Sequence, residues 1–137
     1  MTIIQYKNFE LNELQERMFR DIHLGSRKTI YHNRRQSGKT FGLMLVADHL
    51  LNICNNKTII FCTRMSRMKR LLKEKFEDLG YTVKNDVIKF NNNRILFESI
   101  SENLRGLSAD YILADETNSE LFDCILKTDG KMLIAYT

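Results

Sequence analysis

The chain has 137 residues, 43% of them hydrophobic and 28% charged, with a formal net charge of +4. That balance excludes a disordered or fibrous polymer, and the length suffices for one domain that buries about two-thirds of its unfolded surface. No proline, Gly/Ser-rich linker or low-complexity tract marks a boundary, so residues 1–137 read as a single domain. No apolar run approaches the ~20 residues of a membrane helix, and the N-terminus lacks a basic segment followed by an apolar one, so no membrane association and a cytoplasmic location are expected. Cys54, Cys62 and Cys124 are odd in number and far apart, which suits a reducing compartment better than disulfides or a zinc motif. His23, His32 and His49 share no metal-ligand spacing and read as ordinary histidines. The mild positive charge is compatible with a nucleotide or a nucleic acid and selects neither.

In chain order, Leu11, Leu14, Met18 and Ile22 recur at helical spacing, predicting an amphipathic helix over residues 10–24 that Gly25 ends. Residues 29–32 form a short predicted strand. Residues 41–51 are apolar almost all round, as a helix buried against a sheet would be. Residues 58–62, Thr-Ile-Ile-Phe-Cys, form a continuous apolar strand of the kind found inside parallel sheets. Met65, Met68, Leu72, Phe76 and Leu79 mark a further helix stopped at Gly80. Residues 87–90 and 94–97 flank three asparagines, Asn91, Asn92 and Asn93, and predict a hairpin because asparagine tolerates left-handed backbone. Residues 111–114 are a buried strand, 120–126 a short helix and 131–136 a last strand. Strands alternating with helices imply an α/β fold with a mostly parallel sheet and right-handed crossovers.

Between the first of these parallel strands and its helix, residues 33–40 read N-R-R-Q-S-G-K-T. The phosphate-cradling pattern is G-x-x-x-x-G-K-[ST]. Gly38, Lys39 and Thr40 match it, and Asn33 stands where the first glycine is expected. Asparagine is among the least costly replacements where φ must be positive. Position assigns the roles. Backbone N–H groups of Gln36, Ser37, Gly38, Lys39 and Thr40 face the β-phosphate at a helix N-terminus. Lys39 reaches the β- and γ-phosphates, and the Thr40 hydroxyl is a ligand for Mg²⁺. Asp115 and Glu116 follow the apolar run 111–114, at the end of a parallel strand where ligands bind in open α/β sheets. Asp115 is the expected second Mg²⁺ ligand, and Glu116 the residue that orients or deprotonates the attacking water. Together the two segments predict a nucleoside-triphosphate hydrolase with ATP and Mg²⁺ as cofactors.

These residues carry a family resemblance. Arg34-Arg35-Gln36-Ser37-Gly38-Lys39-Thr40 resembles the phosphate loop of the large terminase subunit, the DNA-packaging ATPase of tailed bacteriophages. In that family the first glycine is often absent and an arginine precedes Q-x-G-K-T. Arg35 matches that arginine, and the resemblance implies that it acts as an arginine finger within its own chain. Leu11-Asn12-Glu13-Leu14-Gln15 is similar to the family's adenine-recognition segment, which ends in glutamine. Leu104-Arg105-Gly106-Leu107-Ser108 resembles the R-G-x-S stretch ahead of the acid-pair strand. Leu133-Ile134-Ala135-Tyr136-Thr137 is similar to the coupling motif; only Thr137 matches its threonines, with Ala135 and Tyr136 departing from them.

The resemblance covers residues 9–137. It implies a P-loop NTPase of the RecA-like ASCE kind, a three-layer α/β/α domain with a small β-hairpin, in which the last strand inserts between the phosphate-loop strand and the acid-pair strand. It further implies double-stranded DNA as a sequence-indifferent partner, a ring of identical subunits, a portal protein and, since no nuclease domain is present in this sequence, a separate nuclease subunit, all in the cytoplasm of an infected host cell.

Arg34 and Arg35 are adjacent and point apart, so Arg35 is assigned to the nucleotide and Arg34 to DNA, a neighbouring subunit or solvent. Arg64, Arg67, Lys69, Arg70, Lys73 and Lys75 crowd into twelve residues with only Glu74 opposing them. They read either as contacts to DNA phosphates or as the solvated face of an amphipathic helix. Three functions remain open: a terminase-like packaging motor, the first motor domain of a helicase-like translocase, and a nucleotide-binding assembly or regulatory module with weak hydrolysis.

Overall fold

The structure is a computed structural model, and it describes residues 5–25, 27–32, 38–64, 66–99, 109–115 and 131–136. The elements are β1 (Gln5–Tyr6), β2 (Phe9–Glu10), α1 (Glu13–Leu24), β3 (Lys28–His32), α2 (Lys39–Ile53), β4 (Thr58–Thr63), α3 (Ser66–Asp78), β5 (Val83–Lys84), β6 (Val87–Phe90), β7 (Asn93–Ser99), β8 (Tyr111–Asp115) and β9 (Lys131–Tyr136). The predicted helix over 120–126 and the R-G-x-S stretch fall outside the described residues.

Seven strands form one sheet in the order β3-β9-β8-β4-β7-β6-β5. The first five are parallel; at one edge β6 runs antiparallel between β7 and β5. The last strand therefore lies between the strand leading into the phosphate loop and the strand ending in the acid pair, as the family resemblance implies. This is an α/β fold of the expected P-loop class.

Burial on both faces explains why β4 is apolar from Ile59 to Cys62. Ile59 and Phe61 face the helices, while Ile60 and Cys62 join Ile112, Ala114, Met132 and Ile134 in a second buried cluster on the opposite face. A central parallel strand is covered on both faces and leaves no side for polar residues along its middle. Each fully buried Leu, Ile or Phe contributes roughly 1.5–3 kcal/mol.

Helix α1 buries Leu14, Met18 and Ile22 along one stripe. Its start is fixed by a capping box: Gln15 N–H donates to Asn12 Oδ1 (2.9 Å), and Asn12 N–H donates to Gln15 Oε1 (3.0 Å). Gly25 ends the helix, but in extended backbone with φ −77° instead of the left-handed turn common at such ends. Five consecutive residues of α2, Leu43 to Ala47, are buried. That demands cover on every side. The sheet and α1 provide part of it; a two-stranded hairpin, β1–β2, provides more, with Phe9 edge-on to Phe41 at 5.1 Å. This hairpin was not foreseen, because its two-residue strands are too short to carry periodicity.

The asparagine-rich hairpin turns on two residues, not three. Asn91 and Asn92 adopt φ of 53° and 62°, and Asn93 already belongs to β7, buried and donating to the carbonyls of Leu51 and Cys54. Asn85 and Asp86 make a second such turn, φ 54° and 60°, between β5 and β6. Positive φ at both central positions matches the twist of a hairpin, and Asn and Asp tolerate it best after glycine.

Candidate functional site

The site lies at the C-terminal ends of the parallel strands. Register places Thr63 of β4, Asp115 of β8, Ala135 of β9 and Tyr31 of β3 on one row across the sheet. Helix α2 begins beside this row. Gly38 is its N-cap, in the left-handed region with φ 81°. A side chain there is excluded twice: by the backbone angle, and because a Cβ would lie 2.7 Å from Gln15 Nε2 and 2.9 Å from Asn12 Nδ2. Lys39, the first helical residue, is 5% exposed. A lysine is seldom so buried unless its ammonium meets an anion.

Thr40 donates its hydroxyl to Asp115 Oδ2 at 2.7 Å, across 75 residues of sequence. Asp115 is 1% exposed. A hydroxyl and a carboxylate are hard oxygen donors of the kind Mg²⁺ takes, and adjacent oxygens around that ion stand roughly 3 Å apart. The two side chains thus fit a shared Mg²⁺ with little movement. Thr63, buried and next to Asp115 in register, also belongs to this row. Sequence reasoning gave it no role; the available signal was a polar residue closing an otherwise apolar strand.

Gln15 has a second bond besides its capping box: Nε2 donates to the Gly38 carbonyl at 3.0 Å. The residue expected to recognise adenine therefore ties the start of α1 to Gly38, the N-cap of α2. Gly38 O also accepts the Gly42 N–H at 2.8 Å, the first turn of α2. Arg34, Arg35, Gln36, Ser37, Glu116 and Thr137 lie outside the described residues. For Arg64, Arg67, Lys69 and Arg70 the structure draws a distinction. Arg64, Arg67 and Arg70 are exposed, whereas Lys69 and Lys73 bond the two oxygens of Asp86 at 3.2 and 2.5 Å.

A second buried carboxylate lies further along α2. Asp48 is 0% exposed and accepts from Tyr6 and Tyr81 hydroxyls and from Lys7 Nζ at 2.8 Å. Burial alone would raise its pKa. The bonds from Lys7, Tyr6 and Tyr81, with the Lys7 charge, outweigh that and hold the carboxyl below its usual range. Both phenols are pushed up, by burial first and by the carboxylate second. The sequence signal for this cluster was a lone charge within an apolar helical run, which must find partners when buried.

No protein-family model matches the chain, and no curated protein matches it in sequence. Solved structures do match in fold. The large terminase of bacteriophage HK97 superposes with a TM-score of 0.68 at 14% identity, covering 94% of this chain and 33% of that one. The large terminase of a thermophilic bacteriophage gives 0.65 at 15% identity, over 90% of this chain and 38% of that one. The Thermus phage P74-26 large terminase ATPase domain gives 0.60 at 18% identity, over 88% and 63%. The thermophilic phage protein is also known in complexes with ATP-γ-S and with ADP. This chain thus has the fold of terminase ATPase domains, and it spans between a third and two-thirds of the length of these three proteins.

Proposed function

We propose that this chain is a terminase-like P-loop ATPase that hydrolyses ATP to drive double-stranded DNA into a viral capsid. The observation that carries the reading is the 2.7 Å approach of Thr40 Oγ1 to Asp115 Oδ2, beside a buried Lys39, at the carboxyl edge of the sheet in a fold shared with terminase ATPase domains.

In this reading the loop N–H groups from Gln36 to Thr40 bind the β-phosphate, and Lys39 draws charge from the β- and γ-phosphates. Thr40 and Asp115 hold Mg²⁺. Bound there, the ion neutralises charge that develops on the phosphate oxygens. Glu116 orients the attacking water and accepts its proton. Arg35 stabilises charge on the transferred phosphoryl group, a contribution typically worth ~10³–10⁵ in rate. Gln15, fixed by Asn12 and Gly38, retains one amide hydrogen for the base of the nucleotide. The exposed Arg64, Arg67 and Arg70 contact DNA phosphates without reading sequence; Arg34 serves DNA or a neighbouring subunit of a ring, and Thr137 couples hydrolysis to movement. A portal protein and a nuclease subunit are the partners expected in an infected cell.

The test is ATP hydrolysis by the purified chain, with and without linear double-stranded DNA, portal protein and nuclease. Turnover that is abolished by Lys39→Ala and by Glu116→Gln, and stimulated by portal, supports the packaging motor. Stimulation by DNA alone indicates a helicase-like translocase. ATP binding without turnover under every condition indicates an assembly module, a reading favoured by Ala135 and Tyr136 where the terminase coupling strand carries threonines.

A further inference from the structure

Helices α1 and α2 run side by side in the same direction, meeting at three levels. Gln15 touches Gly38 at the loop end; Met18 packs on Gly42, where an added Cβ would lie 2.8 Å from the sulfur; and His23 meets His49. At this third level the two Nε2 atoms are 2.9 Å apart and the rings perpendicular, with centroids 5.1 Å apart. His49 is held in place by Phe19 (5.3 Å) and by the edge of Tyr6 (5.9 Å). His23 is exposed, so its ring can swing. No other pair of histidines exists to make such a contact, since the chain's third, His32, ends β3.

We propose that His23 and His49 form a two-histidine site for a divalent late transition metal, pinning α1 to α2 at the end remote from the phosphate loop. Metal–imidazole bonds are roughly 2.0–2.1 Å, so two nitrogens at right angles on one ion stand roughly 2.9 Å apart, the separation these two already have. Nitrogen ligands at right angles are the preference of Ni²⁺ and Cu²⁺; tetrahedral Zn²⁺ needs the pair to open to roughly 3.3–3.4 Å. Water completes the shell on the exposed side. In the metal-free pair, one ring donates its Nε2–H to the lone pair of the other. On binding, that proton moves to Nδ1 of the same ring, so both Nε2 atoms become donors and no net proton is released from neutral imidazoles.

The experiment is calorimetric titration of the untagged full chain with Ni²⁺, in excess Mg²⁺ to saturate oxygen-donor sites such as Thr40–Asp115. Wild type should bind one ion and gain thermal stability. His23→Gln and His49→Gln should each weaken binding by roughly tenfold or more and abolish the stabilisation, while His32→Gln should leave both intact. His23 is exposed, so its variant keeps the fold, and its melting point without metal checks this. Cu²⁺ electron paramagnetic resonance should report two equatorial nitrogens in wild type and one in either variant. Absence of Ni²⁺ binding, equal affinity in wild type and His23→Gln, or a one-nitrogen spectrum in wild type would overturn the assignment. None of these outcomes depends on ATP hydrolysis, so the site stands or falls apart from the proposed motor.

Discussion

Two buried carboxylates lie on or beside helix α2, and their surroundings differ in kind. Asp48 is enclosed by two phenols and an ammonium group drawn from β1, the turn after it and the segment after α3. Those donors satisfy it permanently and tie three parts of the chain to one helix. Asp115 closes a parallel strand and accepts a hydroxyl, that of Thr40, which the proposed function gives to Mg²⁺. Equal burial therefore serves opposite ends. A carboxylate ringed by fixed donors is structural, whereas one beside other hard oxygens at a strand's carboxyl end has the surroundings that the proposed function requires of a ligand site.

The sharpest way to break this contrast is to remove each acid. Asp48→Ala leaves Lys7, Tyr6 and Tyr81 without their shared acceptor and should cost about 3–5 kcal/mol in urea denaturation. Its pH dependence is a second readout. The folded pKa lies below the unfolded value near ~3.9, so the contribution is present above that value and disappears as pH falls through the folded one. Wild type should lose stability below about pH 4 more steeply than Asp48→Asn. Were the two acid limbs to coincide, Asp48 would not be the titrating clamp described.

Asp115→Asn should do the reverse. The amide oxygen can still accept from Thr40, so stability should change by about 1 kcal/mol or less. Turnover should fall at least ~10²-fold, because a metal's stabilisation of transition-state charge is worth several kcal/mol. A variant that unfolds while residual activity per folded molecule is unchanged would place Asp115 with the structural acid.

Gly42→Ala probes the path between the two acids. Its Cβ would lie 2.8 Å from Met18 Sδ and 3.0 Å from Gln15 Cγ. The thioether can shift, but Gln15 is pinned by Asn12 and Gly38. Overpacking of this kind costs about 1–3 kcal/mol. It should also loosen the Gln15–Gly38 bond, raising the KM for ATP more than it lowers kcat. An unchanged KM alongside lowered stability would show that the α1–α2 seam supports the fold without positioning the loop.

The same contrast governs what could be foreseen. The strand–loop–helix unit around Gly38-Lys39-Thr40 and the run ending in Asp115 were legible because each is contiguous, and because hydrophobic runs bounded by such residues have few other folds to adopt. The insertion of β9 between β3 and β8 came from family resemblance, since local pattern cannot order parallel strands. Asp48 was hidden because its partners lie 41, 42 and 33 residues away, and His23 and His49 because they are 26 apart and meet only through helix packing. The turn at Asn85–Asp86 was readable in principle: the dipeptide has the right chemistry, but β5 offers only two residues of strand beside it.

The smallest expected effect on stability concerns the basic helix, where sequence alone could not separate DNA contact from a solvated face. The structure divides the cations. Lys69 and Lys73 are engaged by Asp86, whose carboxyl the Lys73 bond, above all, holds below its usual range, while Arg64, Arg67 and Arg70 remain exposed. Asp86 is partly exposed, so these ion pairs contribute on the order of 0.2–1 kcal/mol. Asp86→Asn keeps the left-handed turn geometry and should change stability by no more than that. It also removes a negative charge and releases two lysines beside the proposed DNA surface. If α3 lies against DNA, affinity should rise, and the salt dependence should steepen by roughly 0.9 in slope for each lysine that gains a phosphate. Conversely, Arg67→Ala and Arg70→Ala should flatten it. An affinity indifferent to Asp86→Asn and to both arginine changes would leave α3 with its packing role through Leu72 and Phe76 and move the DNA contact to another face.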